Sequence, residues 1–228
     1  MINNPQRTEI INNLLGLGVA IPCPDGVIIE ENVKIGKGTL ILPNTIITGE
    51  TQIGKDCGIG PDSYICDTVI RDNTKLNNTQ SFNSKIGTGV TAGPFVHIRP
   101  NCKIADNVHI GNFVEVKNSS IDEGSKLPHL LYVGDSDVGK DVNFGCGCVT
   151  VNYDGKNKSR TTVKDGAFIG CNTNLVAPVT VGKNAFTAAG STITEDVPDN
   201  ALAVARSKQT IKENWVNIKK PYKRQHEK

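Results

Sequence analysis

The sequence predicts an all-β protein built as a parallel β-helix, and three observations lead to that fold class. Aliphatic residues recur every six positions in long runs, of which the first is Ile29, Ile35, Ile41, Ile47, Ile53, Ile59 and Ile65. The position four after each aliphatic is small or β-branched, and aromatic residues make up only 5% of the chain beside 23 glycines. A period of six matches neither the 3.6 of a helix nor simple strand alternation. It fits one short strand and one tight corner per unit.

Three such units close a triangular coil of 18 residues, so successive coils stack as parallel strands. Each aliphatic points to the axis, and the small residue fills the corner beside it. Residues 27–200 predict nine to ten coils, a prism about 45 Å long at the usual strand spacing. Six-residue repeats are typical of parallel β-helices. The known examples are left-handed, and this likeness predicts a left-handed coil here.

The chain divides into three predicted parts. Residues 1–26 hold an amphipathic helix over Thr8–Leu17, with Ile10, Ile11, Leu14 and Leu15 on one face and Gly16 or Gly18 at its end. Residues 27–200 form the β-helix, and residues 201–228 form a C-terminal arm with a basic end. The six-residue register breaks at 66–85, 118–132 and 150–162, which predicts irregular or inserted segments there. Loops on a repeat scaffold often carry the functional site.

Composition excludes several classes of function. The 25 basic and 23 acidic residues nearly cancel, which argues against nucleic-acid binding. No apolar run reaches the ~18 residues that span a bilayer, and the polar start shows no signal-peptide pattern. Seven cysteines without a CxxC pair argue against a disulfide framework and for a reducing compartment. We therefore expect a cytoplasmic protein without a membrane or nucleic-acid partner.

Two cations are the first candidate binding residues. Arg99 and Lys117 are one coil apart, and each follows an aliphatic, so they should stack about 5 Å apart on one outer face. Like charges so placed repel each other and favour an anion, which indicates a phosphate site. Two solvated cations are the alternative. Glu115 would stack with His97 beside them, either as a spectator or as an orienting carboxylate.

His129 is the candidate for proton transfer, because its side chain titrates near neutrality. It follows the cation-bearing coil in what the broken register predicts to be an inserted loop. A structural or solvated histidine is the alternative. Asn143, Asn152 and Tyr153 add amide and hydroxyl groups near the following coils.

The cysteines and the remaining histidines argue against a metal site. Cys57, Cys102 and Cys148 occupy the small corner position of their repeats, which predicts buried thiols. Cys146 and Cys171 occupy another position and are expected to be more exposed. No two of the four histidines are close in sequence, so we expect no bound metal.

Longer motifs carry a resemblance to one family. The matching segments are Gly93-Pro94-Phe95, Ile98-Arg99-Pro100, Gly111 to Lys117, Gly124-Ser125-Lys126, His129-Leu130, Tyr132, Gly134-Asp135, Asn152 to Gly155 and Leu175 to Val179. From about residue 27 to Trp215 the chain resembles the acetyltransferase half of the bifunctional glucosamine-1-phosphate N-acetyltransferase/N-acetylglucosamine-1-phosphate uridylyltransferase family. That family belongs to the hexapeptide-repeat acyltransferases.

The resemblance implies a role for each matched position. It makes His129 the catalytic base, and it makes Arg99 and Lys117 the pair that holds the sugar phosphate. Tyr132 and Asn143 match substrate-binding positions. The positions that it assigns to acetyl-CoA are Cys146, Asn152, Tyr153, Cys171, Ala189 and Arg206. It also implies a homotrimer, with active sites between neighbouring prisms and the arm reaching over them.

The implied reaction is acetyl transfer from acetyl-CoA to the amine of glucosamine 1-phosphate, a step toward UDP-N-acetylglucosamine and cell-wall precursors. No metal is expected for it. The chain departs from the family at Pro128, Leu131, Cys146 and Cys171. It also has no Gly-rich nucleotidyltransferase motif, so the uridylyl step is expected to be absent. The alternatives are an acetyltransferase for another amino sugar and a catalytically weak trimeric scaffold.

Overall fold

The structure is a computed structural model and describes residues 4–219. It contains the helices α1 (Asn4–Gly16) and α2 (Trp215–Lys219) and a 3-10 turn at Pro24–Gly26. The predicted arm therefore lies partly outside the described residues, from position 220 onward.

The strands are short and follow one another through the chain. In order they are β1 (Ile28–Ile29), β2 (Lys34–Ile35), β3 (Leu40–Ile41), β4 (Ile46–Thr48), β5 (Gln52–Ile53), β6 (Gly58–Ile59), β7 (Tyr64–Cys66), β8 (Val69–Ile70), β9 (Lys75–Leu76), β10 (Thr79–Phe82), β11 (Lys85–Ile86), β12 (Thr91–Ala92), β13 (Val96–Ile98), β14 (Lys103–Ile104), β15 (His109–Lys117), β16 (Ser120–Ile121), β17 (Lys126–Gly134), β18 (Ser136–Val138), β19 (Asn143–Phe144), β20 (Val149–Val151), β21 (Thr161–Val163), β22 (Phe168–Ile169), β23 (Asn174–Val176), β24 (Val179–Val181), β25 (Phe186–Thr187), β26 (Thr192–Ile193) and β27 (Leu202–Ala203).

The strands form a parallel β-solenoid of about ten coils, which confirms the predicted fold class. Pairing between the named strands is parallel and joins each strand to its equivalent one coil away, as in Ile29↔Ile47↔Ile65. One sheet of nine strands forms one face, and a second sheet of 18 strands covers the other two faces. Among the strands of residues 4–219, only β15 and β17 run continuously through a corner, at nine residues each. The arrangement is consistent with the predicted left-handed β-helix.

The core is the axial ladder that the six-residue period predicts. Ile41, Ile47, Ile59 and Ile65 are fully buried, and so are corner residues such as Thr39. Each isoleucine removed from water contributes about 1.5–3 kcal/mol. Most corners that need a positive φ carry Asn or Asp, the non-glycine residues that best tolerate it.

Two of the three predicted register breaks are wrong. Residues 66–85 form regular strands β8, β9 and β10, with Ile70, Leu76 and Ser81 buried at the axial positions where other coils place aliphatics. Pairs such as Ile53↔Ile70 and Ile65↔Ser81 show that these coils are one or two residues shorter than 18. The shorter coils hid the repeat, because they move the aliphatics out of the six-residue register, and the polar Ser81 takes one axial position.

Residues 118–132 are not an insertion either, because they contain β16 and most of β17. Only the excursion at 150–162 leaves the coil: its tip is exposed, and an isolated antiparallel bridge joins Tyr153 to Lys158. Arg160 fixes the return of the chain, since its guanidinium binds the Asp137 carboxylate and the Asn118 carbonyl.

The N-terminal helix begins earlier than expected and ends at Gly16, one of the two predicted ends. Ile11 and Leu14 are buried against the first coil, whereas Leu15 is exposed, so the prediction of its position on the apolar face is wrong. The helix covers the first coil and protects that end of the core from solvent.

Candidate functional site

Arg99 and Lys117 lie at equivalent positions on neighbouring coils. The strand pairs Val96↔Val114 and Ile98↔Val116 place them side by side, and the Arg99 N–H donates to the Val116 carbonyl at 2.8 Å. The stacking predicted from their 18-residue spacing is therefore present.

Each of the two cations forms an ion pair with a carboxylate of the same chain. Arg99 Nη1 lies 2.9 Å from Glu115 Oε1, and Lys117 Nζ lies 3.2 Å from Asp135 Oδ2. The Arg99 side chain is 42% exposed, whereas that of Lys117 is only 18% exposed. Arg99 can thus turn toward a ligand at little cost, while Lys117 is held in a buried network.

Asp135 is the centre of that network, and the sequence reasoning gave it no role. Burial opposes ionisation of this carboxyl, but hydrogen bonds from Asn118, Asn152 and Lys117 outweigh burial and lower its pKa. Asn152 also donates to the Tyr132 hydroxyl at 3.4 Å. The 17-residue spacing from Asn118 to Asp135 was the available signal, because it is close to one coil.

Tyr132 lies close to Gly134, which leaves room for its ring because glycine has no side chain. A Cβ placed on Gly134 would lie 2.4 Å from the Tyr132 hydroxyl oxygen, so a side chain there would displace the ring. Tyr132 pairs in register with Glu115, and Glu115 pairs with His97. Tyr132, Glu115 and the two cations therefore share one face of the prism.

His129 lies on β17 beside a corner of the prism, not in the inserted loop that the sequence predicted. It pairs in register with Asn112 of β15. Its Nδ1 lies 2.9 Å from Asn112 Oδ1, and its side chain is exposed to solvent. Within residues 4–219 no partner binds Nε2, so the exposed ring has one nitrogen bound and one available, the arrangement that a general base requires.

The same corner carries three of the positions expected to bind acetyl-CoA. The flanking pairs Lys126↔Asn143 and Tyr132↔Val149 place Cys146 opposite His129. The flanking pairs on the next coils place Cys171 opposite Cys146, and Ala189 opposite Cys171. We call this column, which runs Asn112, His129, Cys146, Cys171 and Ala189, the site edge.

The remaining predicted residues lie around the site edge. Asn143 is half-buried on β19, three residues before Cys146. Arg206 packs beside the corner at Gly190, next to Ala189. Tyr153 is exposed on the excursion, and its hydroxyl donates to the Gly155 carbonyl at 2.7 Å. Asn152 is buried, and its amide is bound within the Asp135 network rather than exposed on the edge.

Strained backbone marks the corner beside the site edge. Phe95, Phe113 and Leu130 have φ values of 60°, 58° and 49°, although bulky residues rarely adopt positive φ. The rings of Phe95 and Phe113 stack with centroids 5.1 Å apart, and all three side chains are exposed. Residues held in sparsely populated conformations cluster at ligand-binding and catalytic sites.

The structure does not bring the two cations and His129 into direct contact. Lys117 lies five residues beyond Asn112 along β15, on the far side of the corner at Phe113. A substrate must therefore bridge the corner and the face, or a neighbouring chain must supply one of the two groups.

Residues 4–219 contain neither a metal-binding cluster nor a membrane-spanning helix. Within them no group of three or more His, Cys, Asp or Glu side chains could hold a metal ion. No helix in that range is long and apolar enough to cross a membrane.

Comparisons with known proteins agree with this repeat architecture. The family "Bacterial transferase hexapeptide (six repeats)" matches residues 83–118, and "Hexapeptide repeat of succinyl-transferase" matches residues 160–195. The bifunctional protein GlmU of Geobacillus sp. (strain WCH70) is 58% identical over 211 residues, which cover 92% of this chain and 46% of that protein. GlmU of Carboxydothermus hydrogenoformans is 53% identical over 203 residues, 89% of this chain and 46% of that protein.

The two family-model matches support the hexapeptide-repeat acyltransferase superfamily. The chain spans about half the length of the curated GlmU proteins that it matches. Among solved structures, the UDP-N-acetylglucosamine acyltransferase of Francisella novicida superposes with a TM-score of 0.55 at 17% identity, over 81% of this chain and 66% of that one. This likeness shows the fold alone, and the high identity to GlmU supports the resemblance found in the motifs.

Proposed function

We propose that the chain is an N-acetyltransferase that moves the acetyl group of acetyl-CoA to the amine of glucosamine 1-phosphate. The observation that carries the proposal is the site edge, where an exposed, oriented His129 lies opposite Cys146 at the head of the expected acetyl-CoA track. The 58% identity to GlmU over 92% of the chain supports the assignment of these positions.

The chemistry needs a base, an anion site and a donor for the oxyanion. The amine attacks the thioester carbonyl and loses a proton, which His129 Nε2 accepts. The coenzyme A thiolate then leaves and takes that proton from the imidazolium. Arg99 and Lys117 hold the sugar phosphate and so aim the amine at the carbonyl.

The backbone at Cys146 is suited to stabilise the oxyanion. Within residues 4–219 the neighbouring N–H groups of Gly145 and Gly147 have carbonyl acceptors, but none takes the N–H of Cys146. A free backbone donor opposite the base is the arrangement that acyl transfer requires.

The site edge also fits the length and charge of acetyl-CoA. Small or slim residues line it at Cys146, Cys171 and Ala189, so that an extended pantetheine chain can lie along the corner. Arg206 lies beyond Ala189 and provides a cation for a diphosphate.

A thiol-release assay tests the proposal. Purified protein is given acetyl-CoA and a panel of amino sugars with and without a phosphate at C1. We expect release of coenzyme A with glucosamine 1-phosphate and little with free glucosamine. Faster release with another amino sugar would reassign the substrate, and no release with any of them would favour a scaffold.

A further inference from the structure

We propose that Asn112 is the positioning residue that sets the tautomer of the base His129. Its Oδ1 accepts the Nδ1–H of the imidazole at 2.9 Å, which leaves the lone pair on Nε2. The reversed tautomer would carry its proton on Nε2 and could not accept one from the amine. The inference rests on the proposed role of His129 as the base.

The backbone fixes the two residues side by side. Strands β15 and β17 pair from His109↔Lys126 to Lys117↔Gly134, with Asn112 opposite His129. The chains approach so closely at this point that a Cβ on Gly111 would lie 1.8 Å from the Pro128 carbonyl oxygen. Position 111 therefore has no room for a side chain, and the glycine there allows β15 and β17 to lie this close.

Glu115 is not in the position to take this role. Its carboxylate binds Arg99 at 2.9 Å, and it lies on the flat face in register with Tyr132, three residues beyond Asn112. The sequence alone predicts Glu115 to be either a spectator or an orienting carboxylate. The structure assigns orientation to an amide instead.

An amide orients the ring without placing a charge beside it. The titratable groups near the ring along the chain are His109, Glu115 and Lys117 on β15, Lys126 and Tyr132 on β17, and Cys146 on the next coil. The group that the structure places within hydrogen-bonding distance of the ring is the neutral Asn112. A carboxylate at this position would stabilise the imidazolium and shift the base toward its protonated form.

Substitutions of Asn112 can show whether it positions His129 or only supports the fold. We expect Asn112→Ala to lower kcat about 10–100-fold with a smaller change in KM, the usual effect of losing an orienting partner. Asn112→Asp restores an acceptor, so its rate should recover at high pH. The acid limb of its kcat/KM profile should move up by roughly one pH unit or more.

Thr91→Ala is the matched control. The Thr91 hydroxyl lies 2.8 Å from Nδ1 of His109, an equally short bond to another histidine of the same sheet. This variant should keep the wild-type rate and pH profile. The inference fails if Asn112→Ala retains more than half of kcat, or if Asn112→Asp leaves the acid limb in place.

A readout without turnover separates this inference from the proposed function. With only four histidines in the sequence, ¹⁵N-histidine labelling gives a simple spectrum. We expect His129 to be an Nδ1–H tautomer in the wild type and a mixture of tautomers in Asn112→Ala. An Nε2–H tautomer in the wild type would overturn the inference. The expected tautomer without acetyl transfer would overturn the proposed function alone.

Discussion

At the scale of single residues, the three basic side chains of the candidate site differ in their surroundings. His129 is exposed at a corner, Arg99 is an accessible cation, and Lys117 is held by Asp135 below the surface. The effect of removing each one on activity and on stability should differ accordingly.

His129→Ala should lose about 10²–10⁴-fold in kcat, the usual contribution of a general base. Because the ring is exposed, its removal should leave the thermal unfolding midpoint near the wild-type value. Steady-state thiol release and a thermal melt measure the two quantities. More than a third of the wild-type rate in the variant would remove His129 from the base role.

Arg99→Ala and Lys117→Ala should both weaken glucosamine 1-phosphate binding, each by about 10–100-fold in KM, because each loses a charge-assisted contact. Only Lys117→Ala should also lower the unfolding midpoint, since it leaves the buried Asp135 carboxylate without its cation. KM for acetyl-CoA is the internal control. Equal use of free glucosamine by the wild type would contradict the phosphate site.

Asp135 should make stability depend on pH in the acid range. Its pKa is lowered in the folded chain, so its contribution is complete above the ordinary pKa of about 4 and is lost as pH falls through the lower folded value. Urea unfolding between pH 3 and 7 should show Asp135→Asn destabilised by about 1–3 kcal/mol at pH 7. The difference in the free energy of unfolding between this variant and the wild type should become smaller at acid pH.

Asp137→Asn is the control for this titration. Asp137 forms an exposed ion pair with Arg160, and such pairs contribute little to stability. If the free energies of unfolding of the wild type and Asp135→Asn change in parallel with pH, the buried network does not depend on the charge of Asp135.

At the scale of elements, the position within each six-residue unit decides how accessible a cysteine is. Cys57, Cys102 and Cys148 fill inward corners and are buried, whereas Cys146 and Cys171 are exposed on the site edge. Burial raises the pKa of the Cys148 thiol to about 11. These outcomes confirm the accessibility that the repeat predicted.

Alkylation should therefore proceed slowly at Cys146 and Cys171 and hardly at all at the three buried thiols. Acetyl-CoA should slow it further by covering the site edge, whereas glucosamine 1-phosphate alone should not. Mass spectrometry of labelled peptides gives each rate. Cys23, which is exposed near the N-terminal helix, is the control and should label equally with and without acetyl-CoA. Unprotected labelling at both edge cysteines would place acetyl-CoA elsewhere.

At the scale of the whole molecule, one prism presents apolar side chains that a neighbour can cover. Phe168 and Phe186 stack with ring centroids 5.2 Å apart, in register with the exposed Leu202. Phe113 and Leu130 are exposed at the strained corner beside His129. The separation between that corner and the cations also favours a site completed by a second chain.

We expect a homotrimer in solution, with a mass three times the 24.4 kDa of the chain. Light scattering coupled to size exclusion at micromolar concentration measures it. A stable monomer under those conditions would contradict the trimer and would leave the exposed apolar columns without a partner.

The repeat pattern determined the fold class, the buried ladder and the stacking of Arg99 on Lys117. These features depend on a six-residue period that each unit carries in its own residues. The same pattern missed the strands at 66–85, because shorter coils move Ile70 and Leu76 out of the six-residue register and Ser81 replaces an expected aliphatic.

The sequence alone determined which residue types recur on which face, because burial of one side chain per short strand is a local requirement. Only the tertiary structure decided that Asn112 and Cys146 lie opposite His129, and that Asp135 holds Lys117. These pairings depend on the lengths of the coils, which are unequal. The local sequence does not indicate how many residues each coil contains. The register is settled when parallel strands one coil apart form their hydrogen bonds, and that depends on every corner between them.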